Sequence, residues 1–304
     1  MDKSAFLLSM HNNRKYLHEM GIFDEEKYKC PLCLQSFSDE EVLNNLTEED
    51  VPQKSLGGKR ILLTCKKCNN TSGYSIDIHL LNAIKGLEQR QYLPSTEHQV
   101  TVIDSDKRLN AKVKIDDERN INLEINTKRN NPAVWNFFKE SILLKDNVIN
   151  LKNNPLKRDE RFISAALLKN AYFMLFARTG YTFLTDSFYN ELREQICNPK
   201  PYILPERLWT MQNLYVCDGI YLSKNNQLRG FFVIYSISLK HDYRVCVFIP
   251  VPTVPFLSAA YLLRELTSNT RVPIEKLSSN FDFLNNKDDM MRLRNWCYGW
   301  NLKF

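Results

Sequence analysis

Residues 46–70 read LTEEDVPQKSLGGKRILLTCKKCNN and combine acidic residues, a Gly-Gly pair, basic residues and a Cys-x-x-Cys pair. An earlier pair, Cys30-Pro-Leu-Cys33, is separated from this one by residues 34–64. Two such pairs supply the four thiolates of a closed, tetrahedral structural zinc site. The sequence therefore predicts zinc held by Cys30, Cys33, Cys65 and Cys68. The alternative is four reduced cysteines whose spacing has no function.

Charge is unevenly distributed around the second cysteine pair. Residues 38–50 contain six acids and no base, whereas residues 54–68 contain five bases and no acid. This arrangement suits a site that binds a cation at one end and a phosphate backbone at the other, and Gly57-Gly58 permits a close approach of the ligand. An ordinary solvated surface is the alternative. The predicted phosphate-binding residues are Lys54, Lys59, Arg60, Lys66 and Lys67.

Composition limits the class of protein. A chain of 304 residues with 43% hydrophobic residues is long enough for one large domain or two moderate ones. The first residues contain too short an apolar run for a signal peptide, and no stretch reaches the roughly eighteen apolar residues of a transmembrane helix. Cysteines paired as metal ligands rather than disulfides also fit a reducing compartment. We therefore expect a cytoplasmic protein that does not span a membrane.

Hydrophobic periodicity predicts both helices and strands. Helices are predicted at residues 3–20, 72–89, 131–145, 161–181 and 251–266. Strands are predicted as a group of three within residues 97–128, as a short one at 148–151, and as a second group of three within residues 214–251. The sequence thus predicts an α+β fold with a boundary near Pro94. A zinc-binding domain would occupy residues 1–94, and a larger α+β domain of unknown role would occupy residues 95–304.

The order of the motifs resembles one known family. Cys30-x-x-Cys33, then LTEEDVPQKSLGGK, then LTCKKCNNTSG is similar to HNH endonucleases whose ββα-metal motif lies within a four-cysteine zinc module. In that family the segment at residues 46–59 resembles Leu-Thr-x-Glu-His-Val-Pro-Pro-Lys-Ser-Leu-Gly-Gly-Lys. The resemblance extends over residues 28–80.

This resemblance implies a treble-clef, ββα-metal domain that hydrolyses phosphodiester bonds in double-stranded DNA with Mg²⁺ or Mn²⁺. It implies that Glu49 is the acidic ligand of the cation and that Asn69, at the start of the following helix, is the further ligand at the catalytic site. Asp50 then occupies the position of the histidine that activates water. By family analogy, the resemblance also implies a role in microbial or antiviral defence, with a homo-oligomer or a defence-system protein as partner.

Asp50 is the departure from the family pattern. A histidine, with a pKa of about 6.5, suits proton abstraction at neutral pH better than an aspartate, with a pKa of about 3.9. Asp50 can still orient a water molecule in an active nuclease. Alternatively, the module binds nucleic acid or a partner protein without catalysis, or the C-terminal domain has the main activity. His79 and Asp77 are candidates to compensate, although we expect His79 to be an exposed or capped helical residue.

Overall fold

The computed structural model describes residues 2–23, 27–104, 106–143, 150–205, 208–211, 216–266 and 271–300. Helices and antiparallel strands are mixed along this part of the chain, which confirms the predicted combination of α and β structure. The helices are α1 (Lys3–Glu19), α2 (Asp39–Asn45), α3 (Lys66–Ser72), α4 (Ile78–Gln91), α5 (Pro132–Leu143), α6 (Glu160–Thr179), α7 (Asn190–Cys197), α8 (Phe256–Glu265) and α9 (Lys287–Tyr298). The strands are β1 (Tyr28–Lys29), β2 (Ser36–Phe37), β3 (Leu46–Val51), β4 (Lys59–Cys65), β5 (Thr96–Asp104), β6 (Lys107–Ile115), β7 (Ile121–Ile125), β8 (Asn150–Asn153), β9 (Trp209–Met211), β10 (Gly219–Ser223), β11 (Gly230–Ser238), β12 (Asp242–Pro250) and β13 (Ile274–Lys276).

Most elements predicted from periodicity are present. The predicted helices at the N-terminus, before Leu143, after Asp159 and after Pro255 are α1, α5, α6 and α8. Strands β5 to β7 and β10 to β12 are the two predicted groups of three, with residues 214–215 outside the described residues. The short strand predicted at residues 148–151 is β8, and residues 148–149 also lie outside the described part. The helix predicted at residues 72–89 is longer, because α3 continues through a π-helical turn, Gly73–Asp77, into α4.

The chain divides into two compact units. The first combines Met1–Leu80 with Asp159–Phe304, and the second is Leu81–Arg158. The four-cysteine segment and the C-terminal part of the chain therefore belong to one unit. This division differs from the boundary near Pro94 that the sequence suggests, because α6 contacts β3 and β4 directly.

Helix α6 lies at the centre of the first unit. Most of its residues are buried, as its nearly continuous apolar sequence predicts. Its N-cap Asp159 accepts a hydrogen bond from the Arg161 amide, and it ends at Gly180, where φ is +59°. The helix packs on strands β11 and β12 of a five-stranded antiparallel sheet with the order β13-β10-β11-β12-β9. It thereby joins this sheet to the hairpin that precedes the second cysteine pair.

That hairpin is formed by β3 and β4, which pair from Leu46 opposite Cys65 to Val51 opposite Lys59. A short 3-10 turn ends at Gly57, whose φ of +81° lies in the left-handed region that favours glycine. At Gly58, an added Cβ would lie 1.3 Å from the carbonyl oxygen of Pro52. The Gly-Gly pair is therefore required to close the hairpin against its own backbone.

The second unit is a four-stranded antiparallel sheet with the order β7-β6-β5-β8. Side chains alternate along its strands between a buried face and a face exposed to solvent. The buried face packs against α5, chiefly around Phe138. The core residues of the sheet are Val100, Val102, Leu109, Ala111, Val113 and Ile115.

Candidate metal centre and buried lysine–carboxylate site

The four predicted cysteine ligands lie together. Their Sγ atoms are all within 4.8 Å of one another, and those of Cys33 and Cys65 are 3.8 Å apart. Tetrahedral zinc with Zn–S bonds of about 2.3 Å requires sulfur atoms about 3.8 Å apart. The cluster therefore has the size and the ligand set to hold a metal ion such as zinc. Within the described residues, it is the only group of three or more histidine, cysteine or acidic side chains arranged in this way.

Local structure positions the sulfur atoms. The Cys65 amide points to Cys30 Sγ at 3.5 Å, and the Cys68 amide points to Cys65 Sγ at 3.4 Å at the start of α3. Hydrogen bonding to the Cys30 thiol lowers the pKa of Cys65 to about 6, whereas hydrogen bonding to the other three cysteines raises the pKa of Cys30. Backbone amides of the second cysteine pair thus orient the sulfur atoms of Cys30 and Cys65.

Tyrosines fix the first cysteine pair to the rest of the first unit. Tyr172 of α6 donates a hydrogen bond to the carbonyl of Pro31 at 2.8 Å, within the turn between Cys30 and Cys33. The Tyr181 hydroxyl donates to the Lys29 carbonyl at 2.7 Å. Since both tyrosines are fully buried, the four-cysteine cluster is anchored on the α6 region rather than standing alone.

A second polar group lies inside the same unit. The ammonium of Lys169, on α6, is 3.0 Å from Glu49 Oε1 and 2.8 Å from Asp77 Oδ2. The relative exposures of Lys169, Glu49 and Asp77 are 0%, 3% and 5%, so bulk water has little access to them. Thr64 of β4 donates a further hydrogen bond to Glu49 Oε2 at 3.3 Å. Strand β3, the π-helical turn and α6 therefore meet at one buried cation.

Burial and charge compete in this group. Burial raises the pKa of Glu49 above its ordinary value, although the Lys169 charge opposes that effect. Burial also works against the charge on Lys169, but the carboxylates of Asp77 and Glu49 outweigh it and hold the Lys169 pKa above its ordinary value. Lys169 is therefore a charged ammonium at neutral pH, enclosed between two acidic side chains.

The three predicted catalytic residues have different surroundings. Glu49 contacts Lys169, as described above. Asn69 donates hydrogen bonds to Thr47 Oγ1 at 2.8 Å and to the Glu48 carbonyl at 3.3 Å, which ties α3 to β3. Asp50 is half-buried beyond a register shift in β3, and within the described residues no side-chain hydrogen bond joins it to Glu49 or Asn69. Their catalytic roles stay predictions.

The two candidates to compensate for the missing histidine also differ. Asp77 meets Glu49 through the shared ammonium of Lys169. His79 is buried rather than exposed or capped, and its ring stacks on Phe162 with centroids 4.6 Å apart. The expectation for His79 is thus wrong, because the first turn of α4 packs against α6.

The five predicted phosphate-binding residues are all exposed. They form two groups, one around the hairpin turn and one at the start of α3. At about 3.3 Å per residue, β4 separates Arg60 from Lys66 by roughly 20 Å. Arg60 also pairs with Glu48 at 2.7 Å, so it is partly neutralised. The first group is Lys54, Lys59 and Arg60, and the second is Lys66 and Lys67.

Lys169 is absent from the residues that the sequence motifs single out. A signal was present, because Lys169 interrupts the apolar run ISAALLKNAYFMLF at residues 163–176. Lysine is almost never fully buried unless it is paired, so this position predicts an acidic partner elsewhere. The partners themselves, Glu49 and Asp77, are 120 and 92 residues away, beyond the range of any local pattern.

No model of a known protein family matches the chain, and no curated protein or solved structure is significantly similar to it. Among the helices of the described residues, none combines the length and apolar composition needed to traverse a lipid bilayer.

Proposed function

We propose that this chain is an HNH-like, zinc-organised protein that binds double-stranded DNA without cutting it, because its own lysine takes the place of the catalytic cation. Two features support the family assignment. The order strand, strand, helix in β3, β4 and α3 is that of a ββα-metal motif. One Cys-x-x-Cys pair precedes this motif, and the other lies at the junction of β4 and α3.

The main observation is the position of Lys169. Its ammonium lies between Glu49 and Asp77, the two carboxylates available to ligate a cation next to the hairpin. A Mg²⁺ ion needs oxygen ligands at about 2.0 to 2.1 Å and retains several waters. The Lys169 ammonium already occupies the space between the two carboxylates, and their burial denies such an ion the waters that it retains. A scissile phosphate also has no route to carboxylates that are at most 5% exposed.

The sequence departure agrees with this proposal. Asp50 lacks the imidazole that would activate water at neutral pH, so the cation and the base would both be missing. A module that has lost both functions can keep its fold, since its cysteines, glycines and Asn69 serve structural roles. We therefore favour binding over catalysis.

DNA is the favoured ligand because basic side chains are exposed on the hairpin and at the start of α3. Lys54, Lys59, Lys66 and Lys67 are exposed, and none of them forms an ion pair within the described residues. Such lysines give affinity for phosphates that depends on salt and little on sequence.

The test of catalysis is incubation of the purified protein with plasmid DNA and either Mg²⁺ or Mn²⁺, beside Glu49→Gln and Asp50→Ala variants. We expect wild type and both variants to leave the plasmid equally intact, with no cleavage above that in a sample without protein. Cleavage by wild type that disappears in both variants would overturn the proposal and establish an HNH nuclease.

The test of binding is fluorescence anisotropy with duplex DNA at several salt concentrations. We expect Lys54→Ala/Lys59→Ala to weaken binding and to reduce the slope of log affinity against log salt by about 1.8, two phosphate contacts at about 0.9 each. Lys287→Ala, an exposed lysine in α9, is the control and should leave the slope unchanged. If wild type binds no duplex, DNA is rejected, and a partner protein, whether a second copy or a defence-system component, becomes the favoured target.

A further inference from the structure

The exposed face of the sheet β5 to β8 is chemically distinct from its buried face. On the central strand β6, Leu109, Ala111 and Val113 point into the core, while Asn110 and Lys112 between them point to solvent. Neighbouring strands follow the same alternation. The exposed face is therefore continuous across all four strands of the second unit.

Strand register places amide side chains next to each other on this face. Gln99 of β5 lies opposite Lys112 of β6, and Asn154 donates its backbone N–H to the Gln99 carbonyl at 3.2 Å. The next position along β5, Thr101, lies opposite Asn110, and its hydroxyl donates to Asn154 Oδ1 at 2.9 Å. Because adjacent strands are about 4.8 Å apart, these groups form a compact array of donors and acceptors.

A fixed loop adds an arginine to the array. The Asn130 side chain accepts a hydrogen bond from the Asn110 amide and donates one to the Asn110 carbonyl, both at 2.8 Å. It also donates to the Asn126 carbonyl at 2.9 Å, which holds the loop after β7 against the sheet edge. Arg129 of this loop lines an open cleft of about 590 Å³ together with Gln99, Asn110 and Asn154.

The charge of this face is positive. Lys112 pairs with Glu97, and Lys114 pairs with Glu124 at 2.5 Å, so the charges of these four side chains cancel. Four exposed cations on this face or in the loop after β7 have no carboxylate at ion-pair distance within the described residues. They are Arg108, Lys128, Arg129 and Lys152.

We propose that this face contacts double-stranded DNA, with the Gln99 and Asn110 amides on base edges and Arg129 and Lys152 on phosphates. Asn and Gln side chains form paired hydrogen bonds with adenine in the major groove, and β-strands serve as reading elements in several DNA-binding proteins. The exposed positions described on this face include no aromatic ring, whereas recognition of single-stranded nucleic acid depends on rings that stack with bases. Duplex RNA hides its base edges in a deep, narrow groove, so DNA fits better.

This inference rests on the proposed function and extends it, since the hairpin of the first unit would supply affinity and the second unit would supply sequence preference. Phosphate contacts position a protein on DNA, whereas base contacts give specificity. The two contributions can therefore be separated experimentally.

The experiment is selection of bound sequences from a random duplex DNA pool by the full-length protein, followed by salt titration with the preferred sequence. We expect wild type to enrich a sequence that contains adenine. Gln99→Ala/Asn110→Ala should reduce the preference for adenine on the order of tenfold at one or more base positions of the selected sequence. The slope of log affinity against log salt should stay unchanged. Arg129→Ala/Lys152→Ala should instead lower the slope by about 1.8 and keep the preference.

The matched control is Asn226→Ala/Gln227→Ala, an exposed amide pair in the turn between β10 and β11, which should behave as wild type. Equal thermal unfolding of all variants excludes misfolding, which is not expected at exposed positions.

The inference is overturned if wild type binds duplex DNA without sequence preference and both double variants of the exposed face bind it with the affinity of wild type. The proposed function would still stand in that case. Absence of any duplex binding overturns both. Equal competition by duplex RNA of the same sequence also contradicts base reading by this face.

Discussion

A single buried lysine determines the chemistry of the candidate site. Lys169 places a positive charge where the sequence motif predicts a divalent cation, and it does so from a helix more than 90 residues away. The single charge of the Lys169 ammonium offsets one of the two carboxylate charges of Glu49 and Asp77, whereas a divalent ion would offset both. In the proposed function, the ammonium also takes the position of the Lewis acid that would stabilise a developing negative charge on a scissile phosphate.

Removing this charge should destabilise the protein strongly. Lys169→Met leaves two carboxylates buried without a counter-charge, and breaking a buried pair in this way costs about 3 to 5 kcal/mol of unfolding free energy. Urea unfolding measures the loss. Lys67→Met, at an exposed lysine, should stay within about 0.5 kcal/mol of wild type. A loss below about 1 kcal/mol in Lys169→Met would contradict the buried ion pair.

The raised pKa of Glu49 predicts a pH dependence of stability. The folded chain holds this proton more tightly than the unfolded chain, so the group's stabilisation is present below its unfolded pKa of about 4.3 and is lost as pH rises through the folded pKa. Unfolding free energies from about pH 4 to 7 should therefore rise less with pH in wild type than in Glu49→Gln. Glu48→Gln, at the exposed pair with Arg60, is the comparison variant. A steeper rise in wild type than in Glu49→Gln would show that the Glu49 pKa is lowered instead.

At the scale of elements, the hairpin β3–β4 has the tightest steric requirement. Gly58 faces the Pro52 carbonyl so closely that no Cβ fits, whereas nothing lies within 4 Å of a Cβ added at Gly73. Gly73 also has ordinary helical dihedrals, with φ of −58°. The two glycines therefore make a matched pair.

Alanine should have opposite effects at these two positions. Gly58→Ala forces the hairpin backbone to move and should cost about 1 to 3 kcal/mol or more, as overpacking does. Gly73→Ala should be neutral or stabilising by up to about 1 kcal/mol, since a helical glycine is less stable than alanine. Chemical unfolding of both variants checks this, and equal effects at the two sites would refute the hairpin geometry.

Elements with clear periodicity could be predicted from sequence, and the others could not. Strands β5 to β7 and helix α6 have patterns long enough to fix their type. The edge strands β9 and β13 have three residues each, too few for any period, and they exist because β10 and β12 offer them backbone partners. The cysteine ligands were predictable from spacing alone. The pairing of Lys169 with Glu49 was not, because it depends on how α6 packs on the hairpin.

At the scale of the whole molecule, the second unit interrupts the first in sequence. The ends of the first unit that flank the interruption are close, since His79 stacks on Phe162. The second unit has its own sheet, helix and core. Each unit should therefore fold without the other.

Replacing residues 81–158 by a short Gly-Ser linker should leave the first unit folded. We expect the shortened chain to bind zinc at the four cysteines, measured by metal analysis, and to show one cooperative thermal transition. The contrasting variant replaces residues 216–266 by the same linker. Because this segment includes three strands of the five-stranded sheet, its removal should abolish folding. Aggregation or metal loss in the first chimera would mean that the units depend on each other.

The interrupted first unit has a consequence for synthesis on the ribosome. The cysteine ligands, Glu49 and Asp77 are all made before Lys169, which follows Asp77 by 92 residues. At about 5 to 20 residues per second, that interval lasts roughly 5 to 20 s. During this time the nascent hairpin has its acidic groups without their permanent partner. The order of translation therefore makes the buried ion pair a late step in the folding of the first unit.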